Sequence, residues 1–273
     1  GFGRDVRELM FSGDSKTLVA QFGEPDWQVA VWKWEKGKLC NTFKAACTVA
    51  ATSVNPYDAA QIVTCGPQFI KFWRIAEGAF KGFHPLNMKR MPDHYTELLW
   101  LSDDKLLIAT SNEQAHMFNQ GMLEASLSDI FVHNGSVTAM CKYRRGFVAG
   151  SSNGEIAIFE YHAPVKKHRR GNELLLATPG VESRSGEDLA ATGKQCFKRL
   201  FSARLPSEYG STPVLSLALS PLGEQIVVST ANSQAYFFSL SALAEYIREE
   251  KASKKESEGG AEGEDQDVLL AST

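Results

Sequence analysis

The sequence predicts an all-β fold of repeated sheet units, and three observations carry that prediction. Short stretches of alternating apolar and polar residues recur along the chain, as half-buried strands require. Clusters of Ser, Asn, Asp, Gly and Pro separate them at regular intervals. One pattern of strand, turn, strand, polar turn and aromatic-bearing third strand returns five times.

The first copy begins at Val6 (VRELMFSGDSKTLVAQFGEPDWQVAVWKW) and the second at Val49 (VAATSVNPYDAAQIVTCGPQFIKFWRI). The third begins at Tyr95 (YTELLWLSDDKLLIATSNEQAHMF), the fourth at Val137 (VTAMCKYRRGFVAGSSNGEIAIFEY) and the fifth at Val214 (VLSLALSPLGEQIVVSTANSQAYFFSL). The first turn of the unit reads Ser12-Gly13-Asp14, Asn55-Pro56-Tyr57-Asp58, Ser102-Asp103-Asp104 and Ser220-Pro221-Leu222-Gly223. Asx and Ser side chains bond the local backbone there, Gly tolerates positive φ, and Pro presets φ. Ser12 and Asn55 are 43 residues apart, and Asn55 and Ser102 are 47 apart. That interval fits the roughly 40–45 residues of one β-propeller blade.

With these residues in view the chain resembles the WD-repeat (WD40) family. The family's third-strand aromatic is held by Trp32, Trp73, Phe118, Phe159 and Phe238. Their shared repeat position assigns them to blade packing rather than to ligand binding. The Asp that normally follows the Trp is Lys33, Arg74, Asn119, Glu160 or Ser239 here, and no Gly-His pair opens a blade. The family's Asp-His-Ser-Trp hydrogen-bond network therefore has no assignment in the sequence. Five blades are recognisable, whereas seven is the commoner number in the family. Closing the ring removes the sheet edges that otherwise invite aggregation. The expectation is part of a larger, seven-bladed or tandem propeller. The N-terminus, with no initiator Met, reads as an internal starting point of a longer parent chain.

The expected organisation is blades over residues 1–250, with an insertion at 163–194 inside the fourth blade. A flexible acidic linker or loop follows at 251–267, and 268–273 reads as the start of a further strand. Phe197-Lys198-Arg199-Leu200-Phe201 is expected to be the outer strand of the fourth blade. Helical spacing of Leu240, Leu243, Ala244 and Ile247 suggests a short helix on the propeller rim. Within the insertion, Lys166, Lys167, Arg169 and Arg170 flank His168 in a concentrated basic cluster. A solvated loop tip is the simpler account of such a run. The functional one is a contact for an acidic partner such as a tubulin tail, with nuclear targeting a poorer third choice.

Composition narrows the function classes. The chain has 273 residues, 43% hydrophobic and 22% charged, with a net charge of −3. That near-neutral balance gives no electrostatic reason to expect nucleic acid or a membrane surface as partner. No apolar run approaches the roughly 20 residues that span a bilayer. Cys40, Cys47, Cys65, Cys141 and Cys196 are odd in number and scattered, which suits reduced thiols in the cytoplasm. The six histidines show no metal-ligand spacing, and no phosphate-binding or dinucleotide fingerprint occurs. No cofactor, metal or small-molecule substrate is expected.

Gly150-Ser151-Ser152-Asn153-Gly154 matches G-x-S-x-G, the pattern of a serine nucleophile. A nucleophile elbow needs a strand, a strained turn and then a helix. Here an alternating strand, EIAIFE, follows, and the corresponding turns Ser111-Asn112-Glu113 and Ala231-Asn232-Ser233 lack the glycines. The motif reads as a repeat turn, and the chain as non-catalytic.

Most of residues 4–248 also resembles the ciliary WD-repeat proteins, weakly in the insertion and not in the tail. The likeness is carried by the run from Leu9 to Gln21, by Val31-Trp32-Lys33-Trp34-Glu35-Lys36-Gly37-Lys38, by Phe72-Trp73-Arg74-Ile75-Ala76-Glu77-Gly78, and by Asp103-Asp104-Lys105-Leu106-Leu107-Ile108-Ala109-Thr110. The resemblance implies a scaffold of the ciliary or flagellar axoneme that docks on doublet microtubules and helps to anchor or regulate inner dynein arms. Its implied partners are axonemal complexes, inner dynein arm components and tubulin. The alternative is a general WD-repeat scaffold of a ubiquitin ligase, trafficking or RNA-processing complex. Ser152→Ala tests the non-catalytic reading: no hydrolase activity is expected to depend on this serine, and loss of a measurable one would make the chain an enzyme.

Overall fold

The computed structural model describes residues 5–45, 47–88, 94–162, 196–206, 211–240 and 242. The strands lie in five antiparallel sheets, each a consecutive run of the chain. The first comprises β1 (Val6–Phe11), β2 (Thr17–Phe22), β3 (Gln28–Lys33) and β4 (Lys38–Lys44); the second β5 (Ala51–Val54), β6 (Gln61–Gly66), β7 (Phe69–Ala76) and β8 (Ala79–Phe83). The third comprises β9 (Tyr95–Trp100), β10 (Lys105–Thr110), β11 (Ala115–Asn119) and β12 (Met122–Leu127). The fourth comprises β13 (Val137–Tyr143), β14 (Gly146–Ser151), β15 (Glu155–Tyr161) and β16 (Phe197–Arg204); the fifth β17 (Val214–Leu219), β18 (Gln225–Thr230) and β19 (Ala235–Ser239).

All five copies read from the sequence are sheets, and β16 starts at Phe197, where the outer strand of the fourth blade is expected. The first strands pack on one another in chain order, β1 on β5, β5 on β9, β9 on β13 and β13 on β17. They form the axial side of an arc. Among the described residues this packing runs in one direction from the first sheet to the fifth. The far faces of its ends are accordingly exposed, with Leu9 and Phe11 on β1, and Leu215 and Phe237 on the fifth sheet.

The repeat extends to details of hydrogen bonding. In the first turn the residue-12 and residue-220 hydroxyls accept backbone N–H groups at the far side: Thr17 N donates to Ser12 Oγ at 3.0 Å and Gln225 N to Ser220 Oγ at 3.0 Å. Ser102 Oγ accepts from Lys105 N at 3.2 Å, and Asn55 Oδ1 from Tyr57 N at 2.9 Å. A β-bulge interrupts the first-to-second strand pairing in four sheets, between Val6 and Glu8, Ala109 and Thr110, Val137 and Ala139, and Val214 and Ser216. A second bulge falls beside the repeat aromatic, between Val31 and Trp32, Met117 and Phe118, and Ile158 and Phe159. A bulge bends its strand and raises the local twist, which tilts each sheet against the next.

Hydrophobic cores lie between sheets rather than within them. Trp73 joins Val19, Val29, Val31 and Phe43 of the first sheet, and stacks on Phe43 at 4.1 Å. Phe118 joins Val63, Ile70 and Phe72 of the second sheet, with Phe72 at 5.6 Å. Phe159 packs with Leu107, Met117 and Ala125 of the third, and Phe238 against Val148 and Ile158 of the fourth. Each of these aromatics thus joins its blade to the preceding one. Truncating one leaves a cavity in an interface that cannot collapse, costing about 3–5 kcal/mol. Trp73→Ala is therefore expected to lower the free energy of urea unfolding by about 3–5 kcal/mol, whereas Phe237→Ala, at an exposed position, should change it by no more than about 0.5 kcal/mol.

Candidate functional site

A polar concavity lies on the axial side, at the N-terminal ends of β1, β5 and β9. It has a volume of about 410 Å³ and is lined by Arg7, Glu8, Gln21, Trp27, Thr96 and Glu97, with backbone from residues 49–51. Alternation along β1 and β9 points Glu8 and Glu97 to this side, and the bulge after Val6 sets the register that brings Glu8 there. Glu8 is held in place by Thr52, whose backbone N–H donates to its Oε2 at 3.1 Å. Beneath it, Thr52 Oγ1 donates to Gln21 Oε1 at 2.7 Å, and Gln21 Nε2 donates to the Val49 carbonyl at 3.3 Å. Gln21 and Thr52 are buried, so these bonds satisfy the polar floor of the cleft. At the rim, the Arg7 guanidinium sits 6.0 Å from the Trp27 ring centroid.

Two carboxylates facing one partly dehydrated space disfavour joint ionisation. Burial, reinforced by the Glu8 charge, pushes the Glu97 carboxyl up to about 7. Burial also raises Glu8, opposed by the Thr52 N–H bond. The site is chemically a polar cleft with two carboxyl groups and the Arg7 guanidinium in its lining. Nothing in the one-dimensional pattern singles out these two glutamates, since both occupy ordinary polar positions of alternating strands.

The basic cluster Lys166, Lys167, Arg169 and Arg170 lies outside the described residues, as do the 251–267 linker, the 268–273 segment and most of the expected 241–250 helix. Of the aromatics, Trp73, Phe118 and Phe159 are buried in the inter-sheet cores, while Trp32 and Phe238 are partly exposed at the ends of the arc. The G-x-S-x-G motif occupies the hairpin between β14 and β15. Gly154 has φ +76°, and the equivalent turn residues Gln68, Glu113 and Ser233 take the same left-handed conformation at +55°, +60° and +63°. A Cβ on Gly150 would lie 2.4 Å from Val214 Cγ1, so that glycine admits the fifth blade. Both glycines have a structural reason that involves no chemistry at Ser152.

Two polar clusters escaped the sequence reading. Trp73 Nε1 donates to Thr64 Oγ1 at 2.9 Å, within the second blade. In the fourth blade the buried Glu155 accepts from the Val132 and His133 backbone N–H groups at 2.9 and 3.0 Å, and from the Ser202 hydroxyl. His133 Nδ1 lies 3.4 Å from the same carboxylate. Glu155 so fastens the connection entering the blade to its third and fourth strands.

The architecture matches solved propellers. Over 88% of this chain and 71% of the other, it superposes with a TM-score of 0.64 and 14% identity on the β-propeller domain of Cps50 (Swd1) from Myceliophteria thermophila. The WD40 propeller domain of Doa1 superposes over 86% of this chain and 63% of its own, with a TM-score of 0.54 and 15% identity. The fold is that of a WD40 β-propeller. No family model matches the chain. This WD40 propeller is 24% identical to mouse cilia- and flagella-associated protein 57 over 89% of its length, and 25% identical to cilia- and flagella-associated protein 44 of Chlamydomonas reinhardtii over 47%. It is 22% identical to human echinoderm microtubule-associated protein-like 1 over 62%. The chain spans only 21%, 8% and 21% of these relatives, about a fifth of their length or less.

The raised Glu97 has a signed consequence. The folded chain holds a proton there up to about pH 7, while an unfolded glutamate releases it near 4.5. Between those values the native state binds more protons than the unfolded one, so stability falls as pH rises. Glu97→Gln should remove that loss and raise unfolding free energy by about 1–3 kcal/mol at pH 8 but little at pH 4, as read from urea titrations at the two pH values.

Proposed function

We propose that this chain is a non-catalytic scaffold of the motile cilium or flagellum. Its propeller docks on doublet microtubules in the axoneme and helps to anchor or regulate inner dynein arms. The observation that carries this reading is the similarity to mouse cilia- and flagella-associated protein 57, which runs across 89% of the chain. A second relative bears the same ciliary designation, and a third is named for association with microtubules. An arc of sheets with loops at both rims suits binding, and the G-x-S-x-G hairpin is accounted for by turn geometry.

Charge divides the work between two surfaces. Tubulin tails are acidic, so they are attracted to Lys166, Lys167, Arg169 and Arg170 and repelled by the Glu8 and Glu97 cleft. The insertion is then the microtubule contact, and the axial cleft is left for a cationic segment of another axonemal protein, such as an inner dynein arm component. Binding to a carboxylate pair of this kind is screened by salt and governs association rate and specificity more than raw affinity.

The test is retention of the tagged full-length protein in detergent-extracted axonemes of ciliated cells. Wild-type protein is expected along the axoneme. Combined charge reversal (Lys166→Glu, Lys167→Glu, Arg169→Glu, Arg170→Glu) should lower the retained fraction severalfold and flatten its salt dependence, while Glu97→Lys should leave it unchanged. Absence of the wild-type protein from cilia would overturn the ciliary reading, and unchanged retention of the reversed variant would overturn the role of the insertion.

A further inference from the structure

The fourth blade departs from its sisters at the first turn. Elsewhere a carboxylate serves the turn itself. Asp14 Oδ1 accepts from Ser12 Oγ at 2.6 Å and from Lys16 N at 3.1 Å, and Asp58 Oδ1 accepts from Ala60 N at 2.9 Å. In the fourth blade Tyr143 pairs with Gly146, so Arg144 and Arg145 alone connect β13 to β14, and both are exposed. Arg144 takes φ +45°, a left-handed conformation that glycine or asparagine enters with less steric conflict. Turn geometry therefore gives no reason for an arginine there, and a residue held in a disfavoured conformation at a fixed place points to a use for its side chain.

The surroundings hold these cations in place. A Cβ on Gly146 would lie 1.8 Å from the Phe159 carbonyl oxygen, so the hairpin is pressed against β15. Tyr161 N donates to the Arg145 carbonyl at 3.1 Å and ties the turn to the end of the same strand. The Arg144 guanidinium lies 5.2 Å from the Tyr143 ring centroid, a contact that orients its fork. Lys142 donates from Nζ to the hydroxyl of Tyr57, an exposed ring on the first turn of the second blade. At the same end of the fourth blade the carboxylate Glu160 pairs across the strands with the exposed Lys198, so the edge as a whole stays cationic.

We propose that this edge, formed by Lys142, Arg144 and Arg145 with the Tyr57 ring beside them, docks an acidic peptide, the tail of tubulin in an assembled microtubule. The inference rests on the microtubule-docking reading and adds to it a contact built into the propeller itself. Arginine suits the task because its planar fork takes a carboxylate through two parallel hydrogen bonds, which a lysine cannot do. Two such forks side by side on one tight turn match consecutive carboxylates of an extended chain. Each exposed ion pair contributes little alone, so the ligand is a run of acidic side chains rather than a single one.

Fluorescence anisotropy of a labelled polyglutamate peptide, titrated with the purified full-length chain, tests this. The wild-type chain is expected to bind the peptide, with an affinity that falls as salt rises, and to leave a polylysine peptide unbound. The double variant Arg144→Gly, Arg145→Ser should weaken binding by about fivefold to tenfold, the loss of two exposed ion pairs. Its urea midpoint should be no lower than that of the wild type, since glycine relieves the left-handed residue. Arg144→Lys, Arg145→Lys keeps the charge without the forks and should fall between the two. Failure of the wild-type chain to bind polyglutamate would overturn the proposal, as would unchanged affinity in the double variant. Loss of binding only on charge reversal of Lys166, Lys167, Arg169 and Arg170 would also overturn it. A chain that binds the peptide through Arg144 and Arg145 but is absent from cilia would overturn the ciliary reading and leave the peptide site standing.

Discussion

A single four-stranded sheet cannot bury its own faces, and that constraint organises the molecule. Among the described residues each sheet has two sides and no helix layer to cover either, so every blade depends on its neighbours for a core. The third-strand aromatic is the piece that makes the dependence specific. Trp73, Phe118, Phe159 and Phe238 each reach into the apolar residues of the blade before, so the cores are shared property of two blades. Stability is then a nearest-neighbour quantity, and the ends of the arc are its weakest places. Exposure of Leu9, Phe11, Leu215 and Phe237 follows directly from being first and last.

The same stacking positions the chemistry. Because the innermost strands follow one another around the axis, residues 89 positions apart in sequence, Glu8 and Glu97, face one cleft. Thr52 and the buried Gln21 pin one side of the pair through backbone and side-chain bonds. Such a cleft has opposite electrostatic character to the basic run at residues 166–170.

Much of this fold was legible in the sequence, because turn chemistry and period-2 alternation are local. Ser12, Asn55, Ser102 and Ser220 announce the first turn of their blades by side-chain bonding that needs only the neighbouring backbone. The left-handed residues Gln68, Glu113 and Ser233 were not legible, since nothing in a Gln, Glu or Ser signals positive φ; only the sister position Gly154 hints at it. The bulges were hidden for a related reason: they add one unpaired residue without disturbing composition. Missing them conceals which polar positions face the axis, and so hides the glutamate cleft. The Glu155 cluster was likewise out of reach, because it joins a carboxylate to amides 22 and 23 residues earlier and to Ser202 beyond the insertion.

The connection between β15 and β16 has a consequence for how such a chain can change. Its two strands find each other through seven paired positions and a shared aromatic core, from Glu155 opposite Arg204 to Tyr161 opposite Phe197. Pairing of that extent does not depend on what is strung between the strands. Each doubling of the intervening length costs only about 0.6 kcal/mol. The junction is therefore a grafting point: sequence there can lengthen, shorten or exchange its charge with little penalty to the propeller, so new binding specificity can be acquired at a place where the scaffold hardly registers the alteration.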